Sequence, residues 1–420
     1  MNRAWRIVLC GAFAFALAGC PRPVPPEPKP TPAPTPEPKP TPTPPPYVPA
    51  KRIEFGKVFN GMQYKVTLET EHGTTAAKDR TDPASYTAEV TVKVKVPKPH
   101  KELAEITALS PKLPELLPQL PQLLERANVS PFFDDLYRLK VEHTQSRLYR
   151  LDVLLSRANF YDTETILELQ HPETKRRALL VQADMDVDED GSDPERVPFV
   201  DGSSLTFQPF TSYNWRRKTD APNPFLAGRE QSLDNAKRDL AVPGLSADKT
   251  KSLKTQIEDL KAEVHSLKTF SFLVGAIDPF IVLPLCVVGK KSDFSPRTGD
   301  YCVVVHDGTL FPAIVGDVGP TYKMGEASMR ICKEINARSS SINAATSDLK
   351  ITYLVFPGSG DRPFAAPDLA KWREQCAKLL AELGGATGEL FAWKDLTTPP
   401  PPPATPAPSA ATPTPVPAQK

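Results

Sequence analysis

Six cysteines in 420 residues are too few for a disulfide-stapled scaffold. Six histidines show no metal-ligand spacing, so the sequence gives no ground for a zinc-type centre. Neither sign of charge dominates: 51 basic residues face 50 acidic ones, net +1, without the clustered basic excess of a nucleic-acid binder. Apolar runs long enough for a multi-span membrane protein are missing; one apolar stretch stands out, at the extreme N-terminus. A glycine-rich phosphate loop and a nucleophile elbow are also missing, and nothing calls for a cofactor.

Proline is what the chain has in excess. Of 49 prolines, 16 fall between Pro21 and Pro49 and 10 between Pro399 and Pro417, so the surplus belongs to two tails. Between them lie roughly 350 residues of ordinary composition, ample for a substantial core.

The N-terminus reads as a targeting signal. Asn2, Arg3 and Arg6 precede an apolar segment, Ile7 to Ala18, that is short for a membrane span, and it ends in Leu17-Ala18-Gly19-Cys20. This resembles a bacterial lipobox and implies residues 1–20 as signal and Cys20 as the lipidated first residue of the mature chain. The expected location is the cell envelope or cell surface, with the membrane reached through the lipid. Acyl chains there contribute about 0.8 kcal/mol per buried methylene. Residues 21–50 alternate proline with other residues and should form an extended polyproline II spacer, reaching up to roughly 90 Å at about 3.1 Å per residue. Residues 397–420 share that composition and should be a disordered tail.

Within the middle, Gln63 to Glu69 and Tyr86 to Val96 alternate as strands do. Leu103 to Leu124 is leucine-rich but broken by Pro111, Pro114, Pro118 and Pro121, which permit short helical turns only. Ser130-Pro131 reads as an N-cap followed by proline at the first helical position, opening a helix to about Arg157. Thr165 to Gln170 and Arg177 to Ala183 form a hairpin pattern. Leu253, Ile257, Leu260, Val264 and Leu267 follow a 4-3-4-3 spacing, and Leu233, Ala236 and Leu240 make a shorter seam, which predicts a helical hairpin over residues 228–269. Strands return at Phe280 to Val288, Tyr301 to His306 and Leu310 to Val315, with Asp307-Gly308 as a hairpin turn. Glu326 to Ala337 has helical spacing, Ile351 to Phe356 is a strand, and Leu369 to Leu383 is a helix stopped by Gly384-Gly385. The class expected is α+β, mainly β, with a barrel-like core and an inserted helical hairpin. Residues 51–160 read as an N-terminal β/α region without an assigned role, and 161–396 as the main domain.

Two carboxylates stand where chemistry could use them. Asp317 leaves a buried strand end between Gly316 and Gly319, and Glu326 follows a Gly-Pro turn at the first turn of the expected helix. A facing pair of this kind serves glycosidic hydrolysis, one carboxyl protonated to assist the leaving sugar and one ionised to activate water. The same residues are equally at home capping a turn and compensating a helix dipole, and that dipole opposes a protonated Glu326.

Three segments, in order, bear a further likeness: Met185-Asp186-Val187-Asp188-Glu189-Asp190-Gly191, Ile277-Asp278-Pro279-Phe280-Ile281-Val282, and Gly316-Asp317 through Gly325-Glu326-Ala327-Ser328. They resemble the glycoside hydrolase family 75 chitosanases over about Leu180 to Pro357. The resemblance implies an inverting endo-hydrolysis of β-1,4-linked glucosamine polymer, a core similar to double-psi barrel hydrolases, and Glu326 and Asp317 as general acid and base. The loop Val318 to Met324 departs from the Thr/Gly/Asn-rich form associated with fungal members. Asp184, Asp186 and Asp188, on one face if the segment is a strand, are then candidates to meet substrate ammonium groups. Tyr213 and Trp215, with Phe210 beside them, are candidates to stack on sugars. Asp186, Asp188 and Asp190 with Gly191 also copy the start of a calcium loop, but Val197 stands where a bidentate Glu is wanted, so no metal is expected. The polysaccharide is the expected partner; a non-catalytic glycan-binding lipoprotein, or a hydrolase of another wall glycan, is the rival reading. Cys286, Cys302, Cys332 and Cys376 allow three disulfide pairings, among which the sequence does not choose.

Overall fold

The computed structural model describes the backbone of residues 62–67 and 89–94, and residues 96–147, 161–341 and 344–397. The signal, spacer and tail expected at the two ends lie outside these residues. No helix among the described residues is long and apolar enough to cross a membrane.

Two strands, β1 (Met62–Thr67) and β2 (Glu89–Val94), pair antiparallel as a ladder of their own. The leucine- and proline-rich stretch folds into three short helices, α1 (Leu103–Leu109), α2 (Leu113–Leu116) and α3 (Leu120–Glu125). Pro114 and Pro121 sit in the first turns of α2 and α3, where a missing N–H costs nothing. After β3 (Asn128–Val129), the Ser130 hydroxyl accepts the Phe132 N–H at 3.4 Å and caps α4 (Pro131–Ser146). This helix stops at Ser146 instead of continuing to Arg157; Arg147 is its C-cap, and positions 148–160 lie outside the described residues.

Next come β4 (Thr163–Gln170) and β5 (Arg177–Asp188), the expected hairpin. Between β6 (Asn214–Arg216) and β7 (Phe270–Phe272) the chain makes the helical excursion α5 (Leu226–Leu240) and α6 (Ala247–Thr269). Leu233, Ala236, Ile257 and Leu260 pack in a small core of their own, and the Ser246 hydroxyl caps α6 through the Lys249 N–H at 3.2 Å. The remaining elements are β8 (Phe280–Pro284), β9 (Tyr301–His306), β10 (Thr309–Gly319), β11 (Glu326–Ser328), α7 (Met329–Ile335), β12 (Thr346–Val355) and α8 (Leu369–Glu382). The β9–β10 turn puts Asp307 at φ 43° and Gly308 at φ 87°, the left-handed pair that a two-residue hairpin requires.

The sheet runs β11-β8-β10-β9-β12-β5, and β5 pairs back onto β11, closing a six-stranded barrel that β4 and β3 extend. The β8–β10 and β5–β11 pairs are parallel, and the other contacts around the ring are antiparallel. Strand alternation sorts the apolar side chains into two cores. Leu180, Phe280, Val282, Val303, Ile314 and Leu354 pack with α1, α2, α3 and α8. Ala183, Met185, Ile281, Val304, Val315 and Tyr353 pack with α4 and α7. The fold is thus α+β with a mainly β barrel core, as the sequence predicts.

Two boundaries differ from expectation. The Phe280 strand ends at Pro284, where a turn carries Cys286 and Val287 into the second core. Glu326 to Ser328 form a strand instead of opening a helix, because they are held between β5 and β8 before α7 begins at Met329. Cys286, Cys302, Cys332 and Cys376 are buried as free thiols.

Candidate active site

The register of β10 against β8 shows how Asp317 comes to share a face with Val282. Ile314 pairs with Phe280 and Val315 with Ile281, but Asp317 pairs with Val282, so Gly316 is an extra residue in a bulge. Without it Val315 and Asp317 would share a face; with it Asp317 turns to the side of Phe280 and Val282. Glycine is needed there, since a Cβ at Gly316 would lie 2.6 Å from the Phe280 side chain and 2.7 Å from Leu273 Cδ1. The Gly316 carbonyl accepts the Tyr213 N–H at 2.9 Å, which fixes the bulge from outside the ladder.

Glu326 reaches the same face from the other side of β8. It too pairs with Val282, and also with Asp186 of β5. Asp317, Val282, Glu326 and Asp186 therefore form a row across four strands, and Ser328 pairs with Asp188 one step on. With Val282 between them, Asp317 and Glu326 stand two strand spacings apart, about 9.6 Å between backbones.

The two carboxyls differ in their partners. Asp317 Oδ1 accepts the Ser212 N–H at 2.9 Å, the Ser212 hydroxyl at 2.5 Å and the Val318 N–H at 2.7 Å. Burial raises its pKa, and these three donors act in the opposite direction by favouring the carboxylate. Glu326 is pushed up to about 7, first by burial and then by the Asp186 and Asp317 charges, with the Lys323 ammonium opposing. No helix dipole bears on it, because three residues of strand and the Ser328 cap precede α7. The α7 dipole therefore does not oppose a protonated Glu326.

The aspartate run ends β5. Asp186 faces Lys323, whose Nζ lies 3.4 Å from its Oδ2. Asp188 is buried, accepts the Asp190 N–H at 2.7 Å, and its pKa is raised well above the carboxylate range by burial and by Asp190, Asp317 and Glu326. Asp190 accepts the Gln208 N–H at 2.7 Å and is pushed up to about 8, chiefly by burial. One oxygen each from Asp188, Asp190 and Asp317 lie within 4.8 Å of one another. Of the calcium-loop alternative, Asp188 and Asp190 converge while Asp186 turns to Lys323, and most of the run is extended strand, not a calcium loop. Asp184 is fully buried beside Gly325, where a Cβ would lie 2.3 Å from its Oδ1. It is part of the wall under the Glu326 turn.

Tyr213 and Trp215 are buried members of the first core. The Tyr213 hydroxyl donates to the Ala365 carbonyl at 3.0 Å, its ring lies 4.3 Å from that of Phe364, and Arg196 sits 5.0 Å over the Trp215 ring. They anchor the segment that carries Ser212 to Asp317. Phe210 packs edge-on against Phe272. Sequence reasoning missed Ser212, 105 residues from its partner, and Lys323. Lys323 was detectable as the single cation between Asp317 and Glu326; Ser212 left no comparable signal.

No curated protein shows a significant match to the chain. Residues 185–392 match the family described as fungal chitosanase of glycosyl hydrolase group 75, and this span holds Asp317, Glu326 and the aspartates that face them. The chain belongs, through that domain, to glycosyl hydrolase group 75.

Proposed function

We propose that the protein is an endo-acting hydrolase of β-1,4-linked glucosamine polymer, working by inversion with Glu326 as general acid and Asp317 as general base. The observation that carries this reading is the shared register at Val282, which faces the two carboxyls across one strand. A separation of two strand spacings suits an inverting pair, whose carboxyls stand roughly 6.5–9.5 Å apart to admit a water. With a pKa of about 7, Glu326 carries a proton to give near neutrality. Three donors on Asp317 Oδ1 favour its ionised form and leave Oδ2 to take a proton from the attacking water. Asp186 adds negative charge on the same side, and an approaching ammonium group would favour ionisation of Asp188 and Asp190, which suits a polymer of ammonium-bearing sugars. Lipidation at Cys20 would hold this domain at the envelope, at the end of the proline-rich spacer.

The test is product release from soluble chitosan by the full chain, beside Asp317→Asn and Glu326→Gln. Each variant should lose 10²–10⁴-fold in rate with the fold intact, the usual worth of a general acid or base. The anomeric proton of the first-formed product, followed by NMR, should appear in the inverted configuration. Activity persisting in both variants would place the chemistry elsewhere. A folded wild-type chain that cleaves no chitosan would favour the non-catalytic glycan-binding role.

A further inference from the structure

Lys140 and Asp162 form an ion pair at 2.6 Å with almost no solvent exposure, and both lie before the matched span 185–392. A buried pair of this kind adds little stability over apolar residues of similar size, so its other contacts are informative. Asp162 Oδ2 also accepts the Met324 N–H at 3.0 Å, and Lys140 Nζ donates to the Tyr322 carbonyl at 2.5 Å. The residues on both sides of Lys323 are thus held by one buried pair. A third contact comes from the same helix: the His143 ring stacks on Tyr322 at 3.6 Å and 13°. Burial, Arg147 and Lys140 lower the pKa of His143, so it is neutral near pH 7.

We propose that Lys140, His143 and Asp162 are positioning residues for the candidate active site: they clamp the Tyr322–Met324 loop and hold the Lys323 ammonium against Asp186 and within reach of Glu326. The N-terminal region is then part of the working enzyme. The acid role of Glu326 rests on the reading above, but the clamp and its test do not depend on it. The titratable groups that act electrostatically with Glu326 are Lys323 from the loop, Asp186 and Asp188 from β5, Asp190 beyond it, Asp317 from β10, Cys332 from α7 and Tyr353 from β12. Lys323 is the one cation among them, so its placement decides how far the surrounding acids and burial raise Glu326.

The test is a direct titration of the Glu326 carboxyl by ¹³C NMR in the full chain labelled at glutamate, with Glu326→Gln assigning the signal. Lys323→Met should move the midpoint up by about one pH unit, as loss of a nearby opposite charge does. Lys323→Arg should leave it near the wild-type position. The clamp variant Lys140→Met/Asp162→Asn keeps an acceptor for the Met324 N–H, and should move the midpoint in the same direction by a smaller step. Should that variant not fold, His143→Ala, which disturbs no buried charge, takes its place with the same expected direction. A wild-type midpoint in the folded clamp variant, or in Lys323→Met, would overturn the proposal. If the shifts occur in a chain that cleaves no chitosan, the clamp stands and the hydrolase reading falls.

Discussion

Two groups of carboxylates with little access to water lie within one molecule and are treated in opposite ways. Asp193 and Asp278 flank Arg196: its Nε donates to Asp193 at 2.5 Å, and its two terminal nitrogens reach Asp278 at 2.8 and 2.7 Å. Ser271 and the Val274 N–H supply further donors at 2.8 Å, to Asp193 and Asp278 respectively. Asp188 is buried and Asp190, Asp317 and Glu326 are half-buried, but they face one another, and all four have raised pKa values. Loss of hydration acts on both groups. Compensation is what separates the set that holds the fold from the set that can hold and pass protons.

The largest effect is expected among the compensated carboxylates. Arg196→Met keeps an apolar stem against Trp215 but leaves Asp193 and Asp278 without their cation, and should cost about 3–5 kcal/mol in urea unfolding. A loss below about 1 kcal/mol would mean that the arginine is not what makes their burial tolerable.

Gly316→Ala tests whether the bulge is what places Asp317 among the facing carboxyls. A methyl group there meets Phe280 and Leu273, so stability should fall by about 1–3 kcal/mol. Chitosan cleavage should fall more than stability explains, as Asp317 shifts from its place opposite Val282. Unchanged activity at reduced stability would show that its placement does not depend on the bulge.

At pH 4 the smallest effect of the three is expected from Asp190→Asn, and it grows with pH. Asp190 rises from an ordinary 3.8 to about 8 on folding, so the folded chain favours its protonated form. Its contribution to stability is therefore full below about pH 4 and declines as pH rises through about 8. The asparagine variant should match wild type at pH 4 and exceed it in thermal midpoint at pH 8. Equal midpoints at both values would mean that this carboxyl is not under the pressure its neighbours imply.

What was legible in the sequence was what neighbouring residues decide. Asp307-Gly308 announces its turn because the two left-handed conformations are local. The 4-3-4-3 seam of α6 and the Ser130-Pro131 cap are read within one helix. Asp317 and Glu326 were legible as a pair, through spacing and the likeness to a family. Three features of the site were not, and each rests on a distant partner. Glu326 has helical neighbours, yet β5 and β8 draw it into a strand. Gly316 becomes a bulge because of Phe280 and Leu273. Lys140 is an unremarked helix residue until Asp162 and the Tyr322 carbonyl enclose it. Tyr213 and Trp215 show the converse, since nothing local distinguishes an aromatic that meets sugar from one that props up the core.

The excursion formed by α5 and α6 leaves the two-stranded β6–β7 ladder at Arg216 and returns to it at Phe270, two residues directly paired there. Its two ends are therefore one strand spacing apart whatever lies between them. Each doubling of an excursion closed in this way adds only about 0.6 kcal/mol of closure entropy. That makes this stretch a length-tolerant position in the architecture, where helices can be lengthened or shortened at little cost to the backbone that carries Ser212 to Asp317.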